Sequence, residues 1–400
     1  MKPVKYLIPF LFLFIFIVAC EYDGPTKVWN KDDNGGVAPV ISKVEPPLEA
    51  LAGYTLIKIT GENFSADTSQ IKVYFGSSSS SKGELISASA TEILVRPPNI
   101  IEDSLSINVV TRDAHTTAKY FPYRLKGTNI EYSDFGTLNV LAMSADANEN
   151  VYVALANRSI MKIQPDGAKI NYGTVTFDVT CLRMGPGENL FIQKENDPAT
   201  YTIQPGGGDP VEYSRHPTRK KVAFFDFDKY FNIYIGGIKT GLFVMTEPNV
   251  YRLVGLYHMG SIQSVRVFND YVYVIVTDNS TEPRNAIWKN AILDETGNLG
   301  AAELVLDLSA TGDYATSQFY DITFAQNGDM YIATDNVNPI LILQANGTMT
   351  PLFAGLINGP ANGIVWGNSK YLYMHRGINQ EFANVSRIEL EVTGAPYYGR

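Results

Sequence analysis

Apolar and polar positions alternate with a period of two along most of this chain. "TLIKIT" sets Ile57 and Ile59 against Lys58 and Thr60. Ile71, Val73 and Phe75 do the same in "QIKVYFG", Ile93 and Val95 in "TEILVRPP", and Leu105, Ile107 and Val109 in "SLSINVVT". A period of two puts one row of side chains in a core and the other in solvent, and Gly or Pro between such runs ends each strand. Residues 38–125 are therefore expected to form a β-sandwich.

Beyond residue 128 the pattern repeats. "ENVYVALA", "ENLFIQKE", "FNIYIGGI", "DYVYVIVT", "GDMYIATD" and "SKYLYMHR" each carry an aromatic anchor: Tyr152, Phe191, Tyr234, Tyr273, Tyr331 and Tyr373. The intervals are 39, 43, 39, 58 and 42 residues. A strand precedes each anchor. A third strand follows, ending in turns such as "QPDG", "QPGG" and "QANG", and then a fourth. Four strands per repeat of this length make a propeller blade, so residues 128–400 are expected to form a six-bladed β-propeller. The sixth unit lacks its fourth strand. "NIEYSDFG", just before the first blade, is expected to supply it through Ile130 to Gly136, which removes an open sheet edge. The long fourth interval is expected to hold extended loops. The fold class is all-β.

Composition agrees with short strands and turns: 24 Tyr, 20 Phe, 33 Gly and 21 Pro among 400 residues. Acidic residues outnumber basic ones, 41 to 32, for a net charge of −9, so no nucleic-acid partner is expected. Trp288 and Trp366 fall on expected strands and read as core.

The start of the chain differs. Lys2 and Lys5 precede an almost wholly apolar run over residues 6–18, too short for a membrane span and of the length of a secretory core segment. Its end, Ile17-Val18-Ala19-Cys20, resembles a bacterial lipobox. The resemblance implies a signal peptide over residues 1–19 and a lipid on Cys20, hence a membrane partner and a place in the cell envelope, at the outer membrane of a Gram-negative bacterium. Residues 20–37 read as a flexible tether. The one other cysteine, Cys181, then has no disulfide partner and reads as a small buried hydrophobe.

"PVISKVEPP", "ITGENF", "VYFG" and "ATEILVRPP" resemble the IPT/TIG immunoglobulin-like family. Its members serve mostly as spacers or interaction modules. The later repeat resembles NHL-type propellers and, more loosely, gluconolactonase-like and regucalcin-like propellers.

No G-x-S-x-G, H-E-x-x-H, C-x-x-C or P-loop is present, and no catalytic residue is assigned. His216, His258 and His375 read as structural. The expected function is binding of a glycan, peptide or protein, without a cofactor, at a propeller mouth formed by Arg219, Tyr257, Arg266, Phe319, Tyr320, Asp321 and Asn362. The lactonase resemblance implies an alternative, a metal-dependent lactonase or esterase. Asp178, Asp226 and Asp321 would then hold one calcium ion, with Asn358 and Asn362 nearby. The glutamate that family carries near the first blade is absent, since "GTLNVLAM" offers Asn139 instead. A structural scaffold is a further alternative.

Overall fold

The computed structural model describes residues 35–78, 81–194, 197–255, 257, 260–278, 285–376 and 384–399. The leader, Cys20, the tether up to residue 34, His258 and the loop 279–284 lie outside the described residues. The chain divides into two compact units; the main division along the sequence falls after Leu125, and the short segments Leu51–Tyr54 and Asn99–Ile101 are assigned to the second unit.

The first unit is a sandwich of two four-stranded antiparallel sheets. One sheet orders Val40–Glu45, Ile57–Glu62, Glu92–Arg96 and Glu84–Ala88. The other orders Glu49–Leu51, Ala118–Lys126, Glu102–Thr111 and Ile71–Phe75. Every alternating residue expected inside is inside: Ile57, Ile59, Ile71, Val73, Phe75, Ile93, Val95, Leu105, Ile107 and Val109 are all buried. Tyr123 joins this core and satisfies its hydroxyl on the Pro46 carbonyl at 3.0 Å.

The second unit is a six-bladed propeller of four-stranded antiparallel sheets. The first strands of the blades are Val140–Ala145, Val179–Gly185, Val222–Phe227, Ser261–Phe268, Phe319–Phe324 and Gly363–Trp366. Each touches the next, and the sixth returns to the first, so they enclose a central channel. The sixth blade is completed by Asn129–Ser133, which pairs with Val385–Glu389. The closing strand is thus the expected one, although it ends at Ser133 and not at Gly136.

Apolar clusters between neighbouring blades hold the ring together. Between blades one and two, Tyr152, Ile160, Leu182, Met184 and Ile192 pack as one cluster. The aromatic anchors belong to these clusters, and a buried tyrosine hydroxyl needs a partner. Asp146 supplies it in blade one. Its Oδ1 accepts from the Asn148 and Asn150 amides, and its Oδ2 from Asn150 Nδ2 and, at 3.1 Å, Tyr152. Asp228, Asn232 and Tyr234 repeat the device in blade three. The repeated turns behave as expected: the Gly167, Gly207 and Gly347 amides each bond the carbonyl of the Gln three residues before, with φ near +90° at all three glycines.

After Val385–Glu389 the chain does not add a fourth strand. It runs beside blade five, where Ala325 bridges Gly394 and the Ala395 amide bonds the Phe324 carbonyl at 2.9 Å. Tyr397 is thereby buried within the ring.

Candidate functional site

Register sets the channel lining. On the first strands, the residues opposite the six aromatic anchors are Ser144, Arg183, Asp226, Arg266, Thr323 and Val365. They form one layer, one residue per blade, and five of them, with Tyr397, line a void of only about 20 Å³. Two guanidiniums and one carboxylate share this layer, and Asp321 joins them from two positions earlier on its strand. Arg183 Nε lies 3.8 Å from Asp226, and Nη2 lies 3.9 Å from Asp321. Arg266 Nη1 lies 3.7 Å from the other oxygen of Asp226. The carboxylates have nearer donors: the Val267 amide at 2.9 Å on Asp226, and Ser264 Oγ at 2.7 Å on Asp321. Buried charges persist only when paired in this way.

Above this layer the channel opens into a cavity of about 450 Å³. All six blades line it, through Leu141, Thr180, Phe224, Gln263, Tyr320 and Asn362 among others. The local cause is a recurring irregularity. The first strands slip register at Val140/Ala142, Val179/Cys181, Val222/Phe224, Ile262/Ser264 and Phe319/Asp321. Each slip leaves one residue unpaired, and a bulge of this kind re-aims a side chain. Four of those extra residues, Leu141, Thr180, Gln263 and Tyr320, line the cavity.

Two titratable groups in the lining are held neutral. Burial pushes the His375 imidazole down to about 4, against the weaker opposing pull of Asp321 and the Val140 carbonyl. Burial raises the Cys181 thiol, whose Sγ contacts the Phe225 carbonyl at 3.8 Å. Cys181 is thus buried as expected, although it also borders the cavity.

The structure brings Asp178, Tyr320, Asp321 and Asn362 together on the cavity. It places the other expected mouth residues elsewhere. Arg219 sits on an exposed turn after His216. Tyr257 packs in the cluster between blades three and four and bonds Asn290 at 2.8 Å. Phe319 is buried against blade four. Arg266 lies in the charged layer below the cavity. Inter-blade packing takes up the two aromatics, the channel layer takes Arg266, and the turn carries Arg219 away from the lining. The sequence does not single out Phe224, Gln263, Gln318 or Arg183, and His375 reads there as structural, yet all five line the cavity. A usable signal exists for Arg183, a lone arginine in the otherwise apolar strand "VTCLRMG". Of the other histidines, His216 is buried between Phe243 and Tyr251, a packing role.

Asp178, Asp226 and Asp321 do not converge as a ligand set. Asp178 is exposed, the other two face guanidiniums, and no group of three or more His, Cys, Asp or Glu side chains suited to a metal occurs among the described residues. A guanidinium against each carboxylate repels a divalent cation, so these residues do not fit calcium.

Comparison with known proteins bears on the fold. Residues 39–123 match the model of the IPT/TIG domain family. No curated protein matches the chain. Among solved structures, a protein of unknown function from Bacteroides thetaiotaomicron is similar over 90% of this chain and 99% of its own, at 11% identity and a TM-score of 0.50. A calcium-binding regucalcin from Agrobacterium tumefaciens is similar over 68% of this chain and 97% of its own, at 11% identity and a TM-score of 0.51. A gluconolactonase from Xanthomonas campestris is similar over 66% of this chain and 89% of its own, at 10% identity and a TM-score of 0.50. At such identities the likeness is one of fold, and function must be argued from the site.

Proposed function

We propose that this is a lipid-anchored cell-envelope protein whose propeller mouth binds a glycan without catalysis. In this reading residues 1–19 are removed, Cys20 carries the lipid at a Gram-negative outer membrane, and residues 20–37 are a tether. The observation that carries the binding reading is the lining of the blind cavity. Phe224 and Tyr320 stand there beside the amides of Gln263, Gln318 and Asn362 and the carboxylate of Asp178. Aromatic faces cover the apolar faces of sugar rings, and amides both donate to and accept from hydroxyls. A volume of about 450 Å³ lies within the range of ligand sites, roughly 300–1,000 Å³. The Cys181 thiol, which borders the cavity, is buried and protonated and is no nucleophile in that state.

The test is binding of the full chain to an oligosaccharide array, followed by titration of each hit. Y320A and N362A are expected to weaken binding about tenfold each, equivalent to ~1.4 kcal/mol. Hits that survive both substitutions unchanged would remove the mouth from the reading. The fold likeness to a gluconolactonase makes lactone turnover in calcium the control, and turnover lost in D178N would establish the hydrolase instead. Anchoring is tested separately, by loss of the chain from the membrane fraction in C20A.

A further inference from the structure

We infer that the floor of the mouth holds a carboxylate, so that the glycan taken here carries a uronic acid or a comparable sugar acid. This rests on the glycan reading and narrows it. Arg183 is 7% exposed, and it lines both the cavity and the small void beneath, so it forms the partition between them. Among the described residues its one side-chain hydrogen bond runs from Nη1 to the Leu182 carbonyl, at 3.0 Å. Its Nε is buried without a hydrogen-bond partner. The carboxylates of Asp226 and Asp321, at 3.8 and 3.9 Å, balance its charge but lie beyond hydrogen-bonding reach.

Those carboxylates are also committed elsewhere. Asp226 accepts from the Val267 amide at 2.9 Å. Asp321 accepts from Ser264 at 2.7 Å and from the Ile322 amide at 2.9 Å. Arg183 Nη2 is left with directed donors and no acceptor, in a place where water screens poorly. A planar carboxylate is the acceptor that matches a guanidinium.

Charge does not forbid this. Arg183 and Arg266 offset Asp226 and Asp321, so an anion meets a neutral floor. Asp178 is exposed, where solvent and salt screen it. His375 is uncharged at neutral pH and adds neither attraction nor repulsion. The Gln318 and Asn362 amides remain for the ring hydroxyls.

The experiment compares D-glucuronate with D-glucose, and D-galacturonate with D-galactose, by ligand-observed NMR on the full chain. The acid is expected to bind at least about tenfold more tightly than its neutral partner. R183M should bring the acid-to-neutral affinity ratio down toward one, whatever it does to affinity as a whole, and R183K should retain part of the preference. Neutral sugars that bind as well as the acids would overturn this inference and leave the glycan reading standing. A mouth that takes neither, with an array free of hits, would overturn both. The wild-type ratio decides even if R183M fails to fold.

Discussion

The guanidinium of Arg266 lies 4.0 Å from the centroid of the Tyr397 ring. One residue belongs to the first strand of blade four, the other to the segment that follows blade six. Tyr397 is held there by its hydroxyl, which contacts Thr323 Oγ1 at 2.7 Å and accepts from the Phe324 amide at 2.8 Å. The end of the chain therefore packs into the channel beside the charged layer. Tyr397→Ala is expected to destabilise the propeller by about 3–5 kcal/mol, and Tyr397→Phe by about 1–2 kcal/mol. Urea midpoints check this, and an unchanged midpoint in Tyr397→Ala would show that the segment is not part of the packed structure.

Asp226 is the carboxylate shared by Arg183 and Arg266. Asp226→Asn leaves two buried guanidiniums with one counter-charge, and the expected cost is about 3–5 kcal/mol. The same geometry predicts that calcium adds no stability to the wild type, with a Tm shift below about 1 °C between excess calcium and chelator. A rise of several degrees would show that the folded protein binds calcium and would overturn the mismatch argued from these residues.

His375 makes stability depend on pH. Its folded-state value, about 4, lies below the ordinary 6.5 of an unfolded chain, so the unfolded state binds the proton more readily. The contribution is complete above about pH 6.5 and is lost as pH falls toward 4, to a total on the order of 3 kcal/mol. Denaturant titrations between pH 4 and 7 should show this loss, and His375→Asn should flatten it. A profile unaltered by the substitution would assign the acid sensitivity to other groups.

Blade six closes through an ion pair. Arg376 is fully buried and donates to both carboxylate oxygens of Glu131 on the closing strand, at 2.9 and 3.2 Å, and to Ser386. Glu131→Gln is expected to cost about 1–3 kcal/mol, discounted because the carboxylate is half exposed. Hydrogen exchange should then quicken first at Asn129–Ser133 and Val385–Glu389. Uniform quickening across all blades would mean that the closing strand is not a separate weak point.

Part of the candidate site was legible in the sequence and part was not. The channel layer sits eight positions before each aromatic anchor, and seven before Tyr273. Aligning the repeats on their anchors reads out Ser144, Arg183, Asp226, Arg266, Thr323 and Val365 directly, because strand pairing keeps fixed offsets. The bulges were not legible. A one-residue slip leaves the apolar alternation nearly intact while it turns Thr180, Gln263 and Tyr320 into the cavity. Nor could Tyr257 and Phe319 be told from mouth residues, since an aromatic in a loop or at the start of a strand reads alike whether it faces solvent or a neighbouring blade.

The sequence by itself determined the all-β class, the sandwich core, the six-fold repeat and the closing strand before the first blade. All of these follow from local periodicity, in which a side chain's face depends only on its neighbours along the strand. Tertiary structure alone decided that Asp226 and Asp321 face arginines, that Arg183 floors the cavity, and that Tyr397 packs beneath Arg266. Those relations join strands from different blades. Their distances depend on how the ring closes, which no local pattern encodes.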